Sequence, residues 1–225
     1  MKISSLDRSD IAKLHHSFQR LPITGNRVLS LLSKALNLAE LWGYRPNNTN
    51  PCLHVKKYKE QKRDRFLNQD EIQKLMMALQ DEESSNTNPW PIYAIRLLLL
   101  TGCRLNEILS LKKEEVDLDN NCLRLRDSKT GKKLVYLSSV TIDLLKNIPQ
   151  AAENPFVICG GKEGAHLINL QKPWRRIRAK AGLSDVRLHD LRHTFASVAV
   201  SNGLSLPIIG ALLGHKQTQT IADYI

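Results

Sequence analysis

A chain of 225 residues is long enough for one substantial hydrophobic core and a smaller second unit. Its 33 Lys and Arg against 22 Asp and Glu give a formal net charge of +11 and a pI near 9.6, which favours a polyanionic partner held in a salt-sensitive way; nucleic acid is the natural candidate, and charge alone leaves a merely soluble or ribosomal basic role equally open. Cys52, Cys103, Cys122 and Cys159 are scattered without a C-x-x-C pair and give neither a zinc site nor a disulfide framework. The start MKISSLDRSD carries no apolar signal core and the run IRLLLL is short and broken by Arg96, so a cytosolic protein with no membrane partner is expected.

In chain order, the spacing predicts a helix after Ser9 and a better one from Asn26 to Trp42, with Val28, Leu29, Leu32, Leu36 and Leu41 on the buried side. Pro46 and Pro51 then break the chain, and the basic stretch VKKYKEQKRDR (Val55 to Arg65) reads as an exposed connection, suited either to bridging two units that clasp a duplex or to being a solvated charged loop. Beyond it, FLNQDEIQKLMMAL offers Asn68 as N-cap with Glu71 three residues on. PIYAIRLLLLTG is a buried helix stopped at Gly102, and CLRLR with KLVYLS, joined by SKTGK, reads as a hairpin with Gly131 in the turn. SSVTIDLLKNI, LQKPWRRIRAKAGL, RLHDLRHTFASVAVSNG and SLPIIGALLG read as helices, so the domain is mainly α with a small antiparallel β-sheet.

The chemistry-bearing residues are spread along this framework. Tyr224 stands next to last, and a phenol with a pKa near ~10 is a poor nucleophile unless neighbours take its proton and stabilise a developing anion. TGCRLNEILSL places Arg104 after a Thr-Gly turn with Glu107 one helical turn on, and His189 and Arg192 share a helix face by their i,i+3 spacing. Singly, each has a plainer reading: Arg104 as a surface residue at a helix start, Arg192 paired with Asp190, Tyr224 packing its ring. His189 and His193, four apart, resemble a metal pair but lack the acidic residue and third ligand such a site needs. Arg175, Arg176 and Arg178 around Trp174 suit a DNA-backbone face or a solvated helix equally.

Taken together, Arg104 within TG-x-R-x-x-E, His189 and Arg192 within H-x-L-R-H, and His215 and Tyr224 within LGH…Y resemble the active-site signature of the tyrosine recombinase (phage integrase) family, from about Phe66 to the end. The family's hairpin lysine is matched by Lys129, with Lys132 and Lys133 close by. The resemblance implies a catalytic domain over 66–225, a basic linker over 56–65 and a partial helical core-binding (SAM-like) DNA-binding domain over 1–55. It further implies a site-specific recombinase that joins DNA strands through a 3′-phosphotyrosine, needing no metal, cofactor or ATP. By the same resemblance, Arg104 and Arg192 would clamp the phosphate oxygens, His189 would take or hold the phenolic proton, His215 would donate a further hydrogen bond and Lys129 would protonate the departing 5′-oxygen. Glu107 is expected to orient a neighbour. The implied partners are double-stranded DNA and other protomers, four of them holding two duplexes.

Two alternatives stand beside this. A type IB topoisomerase shares the tyrosine chemistry but has a lysine where His189 stands, and a DNA-binding remnant has the groups without their assembly. Relatives carry more helices before the position of Phe66 and a docking segment after the tyrosine. The expectation is therefore a chain that is monomeric in solution, binds duplex weakly through phosphates, and cleaves a suicide substrate without completing recombination.

Overall fold

The computed structural model describes residues 3–61, 63–85, 88–128, 131–149, 151 and 153–214, leaving out the side chains of Ser4, Asp127 and Ser128. The chain divides into two compact units, Met1–Arg63 and Asp64–Ile225. In the first, α1 (Arg8–Ser17) starts at a capping box in which the Asp7 carboxylate accepts from the Asp10 N–H at 2.9 Å and Asp10 accepts in return from Asp7. The helix thus begins just ahead of Ser9. α2 (Pro22–Leu41) opens four residues before the expected Asn26, because Pro22 pre-sets φ for a first helical turn.

A small core joins these helices through Ile11, Leu29, Leu36 and Cys52, with Leu32 partly buried against it. Leu41, expected inside, is 76% exposed. The stripe of α2 that is buried runs through Gly25, Asn26, Leu29, Leu36 and Ala39, and Leu41 falls off it by helical rotation. The basic stretch is not uniformly free of the unit either. Lys56, Lys57 and Lys59 are exposed, but Tyr58 stacks on His15 with ring centroids 4.2 Å apart, and the buried Asn26 amide donates to the Tyr58 carbonyl at 2.9 Å and to Glu60 at 2.7 Å. A ring that finds an apolar platform and backbone partners is held to the surface whatever the charge of its neighbours.

In the second unit, α3 (Gln69–Ser85) carries the capping box read from sequence: Glu71 N–H donates to Asn68 at 2.9 Å and Asn68 N–H to Glu71 at 3.0 Å. Arg65, the last residue of the expected linker, is tied to this unit by ion pairs with Glu71 at 2.6 Å and Asp185 at 2.8 Å. α4 (Trp90–Thr101) is apolar nearly all round and forms the centre of the core, ending at Gly102 in the left-handed conformation. α5 (Leu105–Leu109) follows at once.

The sheet is antiparallel in the order β1-β2-β3, formed by β1 (Val116–Asp117), β2 (Cys122–Ser128) and β3 (Gly131–Tyr136). Gly131, expected inside the turn, is the first residue of β3, pairs with Ser128 and has φ +95°, so its freedom from a Cβ serves strand entry. β1 has only two residues and no periodicity to betray it. α6 (Ser139–Asn147), α7 (Gln171–Lys180), α8 (Asp190–Ser201) and α9 (Leu206–Leu213) complete the unit, the last two with their own cluster of Ala196, Ala199, Ile209 and Leu213. The chain is mainly α with a small antiparallel sheet, as its sequence pattern indicated.

Candidate active site

Gly102 is where the site begins. Its φ of +60° lets the chain turn sharply from α4 into α5, and a Cβ there would lie 2.5 Å from Phe195 Cδ1 and 2.9 Å from Leu213 Cδ2. The turn can therefore press against α8 and α9 only with glycine. Two residues on, Arg104 starts α5, and the Glu107 carboxylate accepts from the Arg104 N–H at 2.9 Å and from its guanidinium at 2.8 Å. Glu107 orients Arg104, as its spacing suggested. The Arg104 side chain keeps 26% of its surface in solvent while that of Glu107 keeps 4%.

The segment ahead of α8 is pinned from both sides. Trp174, buried on α7, donates its indole N–H to the Val186 carbonyl at 3.2 Å, and the Asp190 carboxylate caps the Arg187 N–H at 2.8 Å. The expected helix from Arg187 begins instead at Asp190, because this carboxylate draws Arg187 to Leu188 into an entry turn. His189 sits at the N-cap position with helical dihedrals, φ −70° and ψ −25°, so it precedes the helix yet still projects about one turn from Arg192.

Arg192 is buried, 3% exposed. Its Nη1 donates to the Gly102 carbonyl at 2.6 Å and its Nη2 to the Leu213 carbonyl at 2.7 Å. Both acceptors lie at helix C-termini, of α4 and α9, where partial negative charge favours a cation. One guanidinium from H-x-L-R-H thus joins the Thr-Gly turn that precedes Arg104 to the Leu-Gly that precedes His215. Arg192, His189, Arg178 and Arg187 line a cleft of about 430 Å³ with Cys103 and Trp174 in its wall.

Electrostatics tune the titratable groups of this neighbourhood. Partial burial of its ring, then the nearby His193, Arg192 and Arg104, hold the His189 pKa below the usual 6.5, so the imidazole is neutral at pH 7 and able to accept a proton. His189 and His193 meet edge to face with centroids 5.2 Å apart. Burial pushes the Glu107 carboxyl up, but the Arg104 N–H, Lys133 and the Arg104 guanidinium outweigh it and leave the group below its ordinary range, ionised. Burial raises the Cys103 thiol, so it stays protonated.

The residues expected in the site divide as follows. Arg104, His189 and Arg192 are brought into one neighbourhood, whereas Lys129, His215 and Tyr224 lie outside the described residues. Leu213 and Gly214, which lead to His215, are in place beside Arg192 and the sheet. Among the described residues, no group of three His, Cys, Asp or Glu gathers as a metal site.

Lys133, named in the sequence only as a neighbour of Lys129, has a buried place that was not anticipated. Its side chain is 4% exposed and its Nζ lies 3.3 Å from Glu107 Oε2. A signal was available: Val135 is an inward core residue, and strand alternation puts Lys133 on the same side.

Of the arginines that suited a DNA-backbone face or a solvated helix equally, Arg176 is ion-paired with the buried Glu82 and Arg178 donates to the Val186 carbonyl, so both help hold the unit together; Arg175 is exposed.

The profile described as the phage integrase family matches residues 65–225. The chain is 36% identical over 136 residues to the tyrosine recombinase XerA of Saccharolobus solfataricus, covering 58% of this chain and 43% of that protein. It is 27% identical over 237 residues to a tyrosine recombinase of Thermosipho africanus, covering 100% and 81%. The chain thus spans less than half of the first relative and most of the second. In architecture it is similar to a lambda integrase dimer bound to a COC′ core site, with a TM-score of 0.78 at 19% identity, covering 100% of this chain and 81% of that one. A Tn1549 transposon integrase in complex with circular intermediate DNA gives 0.75 at 18%, covering 100% and 82%.

Proposed function

This chain belongs to the phage integrase family, and on that premise we propose that it is a tyrosine site-specific recombinase that cleaves and rejoins duplex DNA. The observation that carries the reading is Arg192, which bonds at once to Gly102 and to Leu213 and so gathers three separated sequence boxes around one cation. Such an arrangement suits a pentacoordinate phosphate, whose nonbridging oxygens take on negative charge that fixed guanidinium groups stabilise.

In the reaction, the Tyr224 oxygen attacks phosphorus as its proton passes to the neutral His189 imidazole. The bond from phosphorus to the 5′-oxygen breaks, and Lys129 supplies the proton that leaves a free 5′-hydroxyl. Arg104, Arg192 and His215 donate to the nonbridging oxygens throughout. The 3′-phosphotyrosine conserves the bond energy, so a second 5′-hydroxyl can reverse the step on a new partner strand without ATP. Residues 1–55 are assigned as a partial helical DNA-binding domain and 56–65 as its basic connection. Further protomers joined on DNA are the working assembly, in keeping with the DNA-bound dimer and the Holliday-junction tetramer of lambda integrase. A cytosolic location fits the composition; no described helix is long and apolar enough to cross a membrane.

The test is a suicide duplex nicked beside the cleavage position, drawn from a random-sequence pool by binding to this chain, so that the small leaving fragment escapes. The wild-type chain is expected to accumulate a covalent protein–DNA adduct, and Tyr224→Phe to bind the same duplex and form none. An adduct that persists in Tyr224→Phe overturns the assignment of the nucleophile.

A further inference from the structure

Glu107 is shared by two cations. Its Oε1 accepts from Arg104 Nη1 at 2.8 Å, and its Oε2 lies 2.9 Å from the Arg104 backbone nitrogen and 3.3 Å from Lys133 Nζ. Lys133 and Glu107 are each only 4% exposed in their side chains, so their charges interact with little screening by water. Burying a lysine is costly unless a partner is fixed beside it, and this one reaches Glu107 from the inward face of β3. The stem of Lys133 also lies against the turn after α9: a Cβ on Gly214 would come within 2.9 Å of Lys133 Cδ and 3.1 Å of its Cε.

The consequence follows from counting charge. Arg104 with Glu107 alone is a neutral pair, and a neutral pair has little to offer a phosphate. Arg104, Glu107 and Lys133 together carry one net positive charge, and the member with surface in solvent is Arg104.

We propose that Lys133 is a positioning residue for the phosphate clamp: by neutralising Glu107 it keeps the charge of Arg104 available to the scissile phosphate, and through Gly214 it fixes the hairpin against the turn that leads to His215. Its role is distinct from proton donation, since Nζ is committed to a buried carboxylate. This rests on the reading that Arg104 binds the scissile phosphate.

The charge count gives a prediction that a purely structural lysine does not. Lys133→Met leaves the neutral pair and should slow single-turnover cleavage on the order of 100-fold. Adding Glu107→Gln to that variant restores a net positive charge at Arg104, so the double variant should cleave faster than Lys133→Met alone, and Lys133→Arg should retain most of the wild-type rate. A structural role orders these the other way, with the double variant worst.

The experiment uses the full chain and the nicked duplex described above. Each phosphate near the nick is replaced in turn by an uncharged methylphosphonate to find the one whose charge matters to binding. The wild type should prefer the charged phosphate at that position, and Lys133→Met should lose roughly tenfold of the preference, with the double variant recovering part of it. Circular dichroism melts accompany every variant. A Lys133→Met chain with unchanged preference and rate overturns the proposal while leaving the recombinase reading intact. A wild type indifferent to phosphate charge overturns both. A Lys133→Met defect in cleavage that is fully rescued by a sulfur at the 5′-leaving position makes Lys133 the proton donor and overturns the positioning role.

Discussion

Arg192 and Arg104 are both arginines near one cleft, yet they are held in opposite ways. Arg192 is buried and tied to two carbonyls, so Arg192→Ala strands the Gly102 and Leu213 oxygens and, on the proposed function, also removes a donor to the phosphate. It should slow cleavage by about 10² to 10³ and lower stability by roughly 2–4 kcal/mol. Arg104→Ala should slow cleavage by a similar factor, but Glu107 retains Lys133 and Arg104 is partly in solvent, so the melting temperature should move little. Single-turnover kinetics beside thermal melts separate the two; an equal stability loss in both variants would contradict the assigned anchoring. At His189 the sign is set by a folded-state pKa below 6.5: the unfolded chain binds the proton more readily, so this group's contribution is complete above about pH 6.5 and is lost as pH falls. A heteronuclear titration of the DNA-free chain should find the His189 midpoint under 6.5, and a midpoint above it would contradict the neutral proton acceptor.

At the scale of elements, the turn after α4 is the most constrained piece. Gly102→Ala combines a positive φ with clashes against Phe195 and Leu213, so it should cost about 2–4 kcal/mol. Gly203→Ala, also at positive φ but with open space around it, should cost only ~1–2 kcal/mol. Equal shifts in the two melts would show that contact with α8 and α9 does not matter.

These elements also show what was legible in the sequence. Gly102, the Asn68–Glu71 box and the apolar α4 could be read because each is set by local chemistry: a glycine stop, a cap, a hydrophobic period. Arg104, His189 and Arg192 could be singled out only jointly, because their boxes together resemble a family signature; that they share one neighbourhood is a tertiary fact. Lys133 was hidden by a hairpin with three nearby lysines, where only inward alternation with Val135 singles one out. Leu41 was misplaced because a helical stripe drifts, and Tyr58 because a basic stretch reads as solvated even when one ring within it stacks on His15.

For the whole molecule, on the proposed function, a net charge of +11 and a cleft ringed by Arg178, Arg187 and Arg192 would make association with duplex chiefly a matter of displaced counterions. Affinity for a duplex of arbitrary sequence should fall at least ~100-fold between about 50 and 200 mM salt, read by fluorescence anisotropy. A flat dependence would mean that phosphate contacts are few. The two units, Met1–Arg63 and Asp64–Ile225, each bury a core of their own, so limited proteolysis should cut first between them. On the proposed function, the three boxes joined by Arg192 form a clamp that presents a phosphate to Tyr224. Its most direct measurement is mass spectrometry of the adduct formed on the nicked duplex with EDTA present. The expected product is a nucleotide linked through its 3′-phosphate to the peptide containing Tyr224; cleavage that leaves no covalent nucleotide, or stops when EDTA is added, rules that clamp out.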